Sequence, residues 1–422
     1  MRRTARPSEF GDRPSDASMN EPRRPGVLIV QGAYYPELSG GGLQSRALVR
    51  TLKASVDFLV FTTTIQPSLP AIDERDGVPV FRVVVTPTRT VSKLAAIWRF
   101  TRLFIANRHR FSVVHLHGFS QKSVLFIALA GLFGKSVAVK LTSVGHDDPV
   151  TMQRRGRWAY WWYSRARLFI GVSPRMQALY EQAGLPASRF RLIANGVDTG
   201  RFRPGSAAER LALRGPLGLP TIGSVVLFVG FFSREKRPEV LFDAWLRATE
   251  SQPMPTTLCF VGATRSTYYE IDRRLVAHLR RKAQALDGTS RRVVFIESTL
   301  EIEKVYRAAD LFVLPSIREG LPNALLEAMS SGLGCIASRL DGVTDTMVQD
   351  GKNGRLIEPS DTSALVDVLR FLLARPELAR DMGRRARATV EERFNLHDTG
   401  REHLAAYRSL TSVDQSCVAS QG

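Results

Sequence analysis

Two glutamates, Glu319 and Glu327, stand eight residues apart in REGLPNALLEAMSSG, just past the apolar run LFVLPS. Carboxylates accept hydrogen bonds from hydroxyls. The letters between them open a helix read from near Pro322 to Gly332, with proline at its start and glycine at its end. A helix start offers unpaired N–H groups and a positive dipole end, which attract phosphate. Leu321, Pro322 and Asn323 carry the backbone of that start. A phosphate end bracketed by two carboxylates suits a ligand that is both phosphorylated and rich in hydroxyls, a sugar nucleotide. Spacing alone is equally compatible with two surface glutamates.

The elements around this stretch alternate. GVLIVQGAYYPELSGGGLQSRALVRTL reads as strand, glycine-rich loop and helix, and ASVDFLVFTTT, GVPVFRVVV, VVHLHG, SVAVKLTS and LFIGVS read as further strands. Helices fall between them, which predicts parallel sheets covered on both faces. A Pro-, Gly- and Arg-rich break, RFRPGSAAERLALRGPLGLPTIGS, precedes a second run of the same alternation. The expected architecture is α/β, two tandem doubly wound, Rossmann-like domains facing a cleft. Residues 1–25 read as a disordered basic tail, 26–203 as the first domain and 204–220 as the linker. Residues 221–385 read as the second domain, 386–410 as helices packing back on the first, and 411–422 as a flexible tail. Ligands of such sheets sit at the carboxyl ends of strands, which makes the interdomain cleft the expected site.

Composition narrows the classes. The 422 residues exceed one ordinary core. Cys259, Cys335 and Cys417 are scattered, and read as thiols of a cytoplasmic protein rather than a disulfide framework or zinc site. No apolar run reaches the ~18 residues a membrane span needs. GHDDP offers one histidine and one Asp pair, too little for a metal centre.

The segment ADLFVLPSIREGLPNALLEAMSSGLGCIAS closely resembles the signature of family 4 retaining glycosyltransferases of the GT-B fold, with its E-x7-E element. The likeness runs through YYPELSGGGLQSRAL, VVHLHG, RLIANGVDTGRFRP, VGFFSREKRP and DGKNGRLIEPSD in the same order. It implies that Glu319 faces the donor sugar, that Glu327 binds ribose hydroxyls and that Lys236 pairs with the diphosphate. Gly41 and Gly42 would let a loop approach the donor phosphates, and His117 would lie beside the reacting centre. Asn195 and Gly196 match a segment read as structural. The implied chemistry is sugar transfer from a nucleotide-sugar donor to a glycan or lipid-linked hydroxyl, with retention and with no cofactor or metal. A sugar-nucleotide epimerase of the same architecture and a non-catalytic partner subunit are the alternatives. Three positions depart from the pattern: Phe231 replaces the usual arginine, with Arg234 as the substitute, Glu297 replaces a glycine, and Asp345 a glutamate.

The charge of +19 is uneven. Between Gly77 and Tyr180 sixteen Lys or Arg face only Asp147 and Asp148. Such a field favours an anionic partner. No helix-turn-helix, zinc finger or RNP-like segment is present, which argues against nucleic acid. VSKLAAIWRFTRLFIANRHR is amphipathic, with Leu94, Trp98 and Ile105 near one face, and RWAYWWYSRAR sets aromatics among arginines. A peripheral seat on an anionic cytoplasmic leaflet is the expectation; its counter-reading buries Trp158 and Trp161 in the core.

Overall fold

The computed structural model describes residues 24–250, 252–263, 271–286 and 289–419. The first sheet is built from β1 Gly26–Gln31, β2 Asp57–Thr64, β3 Ile72–Arg75, β4 Val78–Val84, β5 Val113–His117, β6 Ser136–Leu141, β7 Leu168–Gly171 and β8 Phe190–Leu192. Their order is β3-β4-β2-β1-β5-β6-β7-β8. The second contains β9 Ser224–Val229, β10 Thr256–Val261, β11 Arg291–Ile296, β12 Leu311–Leu314, β13 Gly334–Ser338 and β14 Arg355–Ile357, ordered β11-β10-β9-β12-β13-β14. The apolar runs GVLIVQ and LFVL are buried almost throughout, as strands covered on both faces must be.

One strand departs from the all-parallel expectation. β3 pairs antiparallel with β4, Ile72 opposite Phe81 and Arg75 opposite Val78. The turn between them is Asp76-Gly77, both left-handed, with φ of 57° and 80°. Two positive φ values in a two-residue loop are what a tight hairpin requires, and Asp-Gly supplies them at least cost.

Strand order reverses between β1 and β5 in the first sheet and between β9 and β12 in the second. At such points the crossovers leave to opposite sides and open a crevice at the carboxyl ends of the strands. Gly41 opens the helix after β1, His117 ends β5, and Lys236 and Glu319 stand in the loops leaving β9 and β12, so topology alone brings these four to crevices.

Helices layer both faces of the first sheet. Val27 and Ile29 of β1 share a core with Leu48, Val49 and Leu52 of helix Gly40–Leu52 and with Tyr407 and Leu410. Leu28 and Val30, on the opposite face, pack with Phe100, Phe104, Phe126 and Tyr163. The stretch read as a linker contains a helix, Ala207–Arg214, fastened to the second sheet. Its buried Arg214 donates to Asp310 Oδ2 at 2.6 Å and to the Ala308 carbonyl at 3.1 Å. Helix Pro376–Arg393 also stays with the second domain, where Asn353 Nδ2 reaches Thr389 Oγ1 at 3.0 Å. The chain then crosses, Val197 and Leu396 exchanging backbone bonds with Phe394 and Val197. Helix Leu396–Ala419 lies on the first domain, with Ser136 Oγ donating to the Leu410 carbonyl at 3.1 Å. It continues past the point where a flexible tail was read. Residues 1–23 of the expected tail fall outside the described residues.

Candidate active site

A cleft of about 2120 Å³ runs between the two domains. On the second-domain wall, Lys236 Nζ lies 2.5 Å from Glu319 Oε1, with the Glu319 side chain only 8% exposed. Lys236 follows β9 in a short turn, its N–H bonded to the Ser233 carbonyl. Glu319 follows β12. The pair places one cation and one anion side by side at the switch point of the second sheet. Glu319 also sits next to Gly320, where an added Cβ would come within 2.0 Å of the Thr142 carbonyl of the first domain. That close approach needs glycine.

Glu327 lies more than one turn into helix Asn323–Ser330. Its Oε2 accepts from the buried Tyr306 hydroxyl at 2.9 Å. Burial pushes its carboxyl up to about 7, although the Tyr306 bond and the charge of Arg201 act the other way. Glu327 is therefore an acceptor held in place, with its carboxyl pushed toward the neutral form by burial. Pro322 occupies the cap position before Asn323, one place earlier than the first helical turn where proline was read. Asn323 bridges the domains: its Oδ1 accepts from Asn195 Nδ2 at 2.9 Å and its Nδ2 donates to the Gly40 carbonyl at 3.3 Å. Asn195 Nδ2 lies 3.4 Å from the Leu321 carbonyl.

The first-domain wall is built differently. His117 ends β5, and its Nδ1 is buried with no partner among the described residues. Behind it lie His115, Lys140 and the returning helix, with Tyr407 Oη 2.9 Å from His115 Nδ1 and His403 stacked on His115. Burial, with the charge of Lys140 added, holds His117 well below the usual histidine range. His117 is thus a neutral base at ordinary pH. Gly41 faces it: a Cβ there would come within 3.1 Å of the imidazole. Gly42 is occupied otherwise, since its Cβ would meet the Ala33 carbonyl at 2.6 Å, and its N–H is capped by Ser39 Oγ at 3.0 Å. So Gly41 keeps the cleft open at the histidine, while Gly42 packs its own loop.

Other readings meet the geometry in different ways. Arg234 lines the cleft with its side chain 92% exposed and 3.9 Å from Asp272. Asp147 accepts from Thr142 N–H and hydroxyl and from Ser143 N–H, and Asp148 caps the helix at Pro149–Arg154, so both serve the loop. Asp345 accepts from Val343 N–H. Glu297 is exposed after β11. Trp158 and Trp161 are exposed, 68% and 48%, which overturns the reading that buries them.

Sequence reading missed Lys122, which lines the cleft and donates to the Gln31 carbonyl and, at 3.4 Å, to Thr63 Oγ1. Burial lowers its ammonium to about 7. Arg318 was also missed; it pairs with Glu235, and a Cβ added at Gly145 of the first domain would come within 3.3 Å of its guanidinium. The lone signal for either was a cation in a loop or helix start next to a strand.

Comparison with known proteins completes the picture. Residues 223–375 match the family model described as glycosyl transferases group 1, and residues 39–196 match the glycosyl transferase 4-like domain. The chain belongs to the group 1 glycosyltransferases. The D-inositol 3-phosphate glycosyltransferase of Rhodococcus erythropolis is 27% identical to this glycosyltransferase over 417 residues, 92% of each chain. The protein of the same name from Corynebacterium urealyticum is 29% identical over 231 residues, a match that spans 53% of that relative. Among solved structures, Anabaena Alr3699/HepE in complex with UDP and glucose superposes with a TM-score of 0.73 at 20% identity, over 92% of this chain and 100% of that one. Sucrose-phosphate synthase from Thermosynechococcus elongatus gives 0.75 at 23% identity, with the same shares covered. The two-domain fold is that of the GT-B glycosyltransferases.

Proposed function

We propose that this glycosyltransferase moves a sugar from a nucleotide-sugar donor to a hydroxyl of a glycan or lipid-linked acceptor, with retention and without a resident metal. Its setting would be cell-surface polysaccharide or glycolipid assembly at the cytoplasmic face of a membrane. The observation that carries the reading is the Lys236–Glu319 pair beside Glu327, lining the same cleft as His117. Glu327 accepts from ribose hydroxyls, Lys236 and the N–H groups at the start of helix Asn323–Ser330 hold the diphosphate, and Glu319 faces the sugar. The bond from the anomeric carbon to the diphosphate oxygen breaks, and the acceptor oxygen bonds to that carbon on the same face. The departing diphosphate takes the hydroxyl proton. One well-placed donor to the growing negative charge contributes roughly 3–4 kcal/mol.

UDP-sugars are the first donors to try, since UDP and UDP-glucose occupy the Anabaena HepE structures. D-Inositol 3-phosphate, named in the relatives, and lipid-linked glycans are the acceptors to offer. The test incubates the protein with each pair in the presence of EDTA and follows nucleoside diphosphate and product stereochemistry. Acceptor-dependent release with a retained anomer supports the reading. Isomerised nucleotide sugar formed without acceptor would replace it with the epimerase alternative, and loss of activity on chelation would remove the metal-independent step.

A further inference from the structure

The helix Thr90–Asn107 carries two apolar stripes on opposite faces. Ala96, Phe100 and Phe104 are buried against the first sheet. Val91, Leu94, Trp98 and Ile105, spaced by three, four and seven residues, are all exposed, Trp98 at 59%. An amphipathic surface helix needs one apolar stripe, and this one spends a second on the outside. Arg99 and Arg102 lie along the same outer side by the 100° step of a helix, and Arg102 stacks over the Trp98 ring at 4.6 Å.

Helix Arg157–Tyr163 repeats the pattern. Its exposed Trp158 and Trp161 project beside Arg157 and Arg165, with Arg165 3.6 Å from the centre of the Trp161 ring. Both helices pack against helix Gln121–Leu132, and all three lie on the face of the first sheet opposite to helices Gly40–Leu52 and Leu396–Ala419. The outer surfaces therefore belong to one side of the molecule. No carboxylate among the described residues pairs with Arg99, Arg102 or Arg157 on this side. The two acids of the whole stretch, Asp147 and Asp148, are buried in their own loop.

Exposed tryptophan and leucine interleaved with unpaired arginine fit one environment well: the boundary between lipid headgroups and acyl chains of an anionic leaflet. A nucleic acid would match the charge and leave the apolar stripe without a partner. The patch also runs into the cleft, because Lys93, Ile97 and Trp158 line it at the first-domain end.

We propose that this three-helix face docks on an anionic lipid bilayer, and that a lipid-linked acceptor enters the cleft from the bilayer past Ile97 and Trp158. The second half rests on the acceptor reading given above; the docking itself does not. Sedimentation of the full chain with vesicles tests it, using phosphatidylcholine alone or mixed with phosphatidylglycerol, at low and high salt. The expected result is binding to the anionic vesicles at low salt, release at high salt and little binding to phosphatidylcholine. Each basic side chain near an anionic surface is worth roughly fivefold in partitioning. Arg99→Gln with Arg102→Gln should therefore weaken binding by about 25-fold, and Trp98→Ser with Trp161→Ser should weaken it as well. UDP binding, measured without vesicles, should be unchanged in both variants, which shows that they fold and reads the donor site separately. Wild-type protein left in the supernatant with anionic vesicles at low salt would overturn the proposal. So would vesicle binding that the tryptophan pair does not affect, the behaviour of a face that takes any polyanion. Loss of UDP binding by the wild type would instead strike the donor reading and leave the docking claim standing.

Discussion

The two walls of the cleft sit at equivalent points of two similar sheets, yet the residues at those points differ in kind. The second-domain wall carries charge in the cleft itself, with Lys236 on Glu319 and Glu327 held by Tyr306. The first-domain wall carries a neutral histidine, a glycine that leaves it room, and buried bases behind. The basic residues of the first domain stand elsewhere in the cleft, as Lys93 and Lys122, and on the outer helices, as Arg99, Arg102 and Arg157. Under the proposed function, a wall that holds a diphosphate needs fixed charge and donors, whereas a wall that admits a neutral hydroxyl needs space.

The buried bases give the largest effect by which this contrast is tested. His115, His117 and His403 are all held below their ordinary range, chiefly by burial. The unfolded chain binds protons near 6.5 that the folded chain refuses. Their share of stability is complete above that value and is lost as pH falls below it. Each group contributes up to about 1.4 kcal/mol per pH unit, so three give roughly 4 kcal/mol per unit. Glu327, raised to about 7, works in the other direction and over the range from about 4.5 to 7. Chemical denaturation at about pH 7, 6 and 5 should show steep acid loss; a flat profile would mean that the histidines are solvated.

Next in size is Lys236→Ala. Removing a preorganised donor to a developing negative charge costs about 10²–10³-fold in turnover. Steady-state kinetics should show that loss in kcat, and a change confined to KM would reduce Lys236 to a binding contact. A smaller effect follows from the pH response of Glu327. Ionised carboxylate is the better acceptor for ribose hydroxyls, so nucleotide affinity should rise about tenfold between pH 6 and 8. Calorimetric titration checks it, and Glu327→Gln should flatten the profile.

Legibility followed locality. The E-x7-E element is contiguous and its proline and glycine mark its helix, whereas the roles of its glutamates rest on the family resemblance and not on the spacing. The alternation of apolar runs gave both sheets for the same reason. The surroundings of His117 were not legible, because Tyr407 and His403 lie almost three hundred residues further along and arrive by a domain crossing. Helix Thr90–Asn107 has apolar residues on two faces, so periodicity alone does not say which is buried. β3 is four residues of IDER with no apolar pattern; its Asp-Gly turn was the one available signal. Phe231 and Arg234 both line the cleft, Arg234 with an exposed side chain near Asp272.

The division of labour between the walls is tested most directly by nucleotide binding to two single variants. Titration calorimetry with UDP on Glu327→Ala should show a loss of about 10–100-fold, the worth of a hydrogen bond to a charged acceptor. His117→Ala should bind UDP as the unaltered protein does while losing turnover. Equal losses of affinity in both variants, or none in Glu327→Ala, would contradict the assignment of the donor to the second-domain wall.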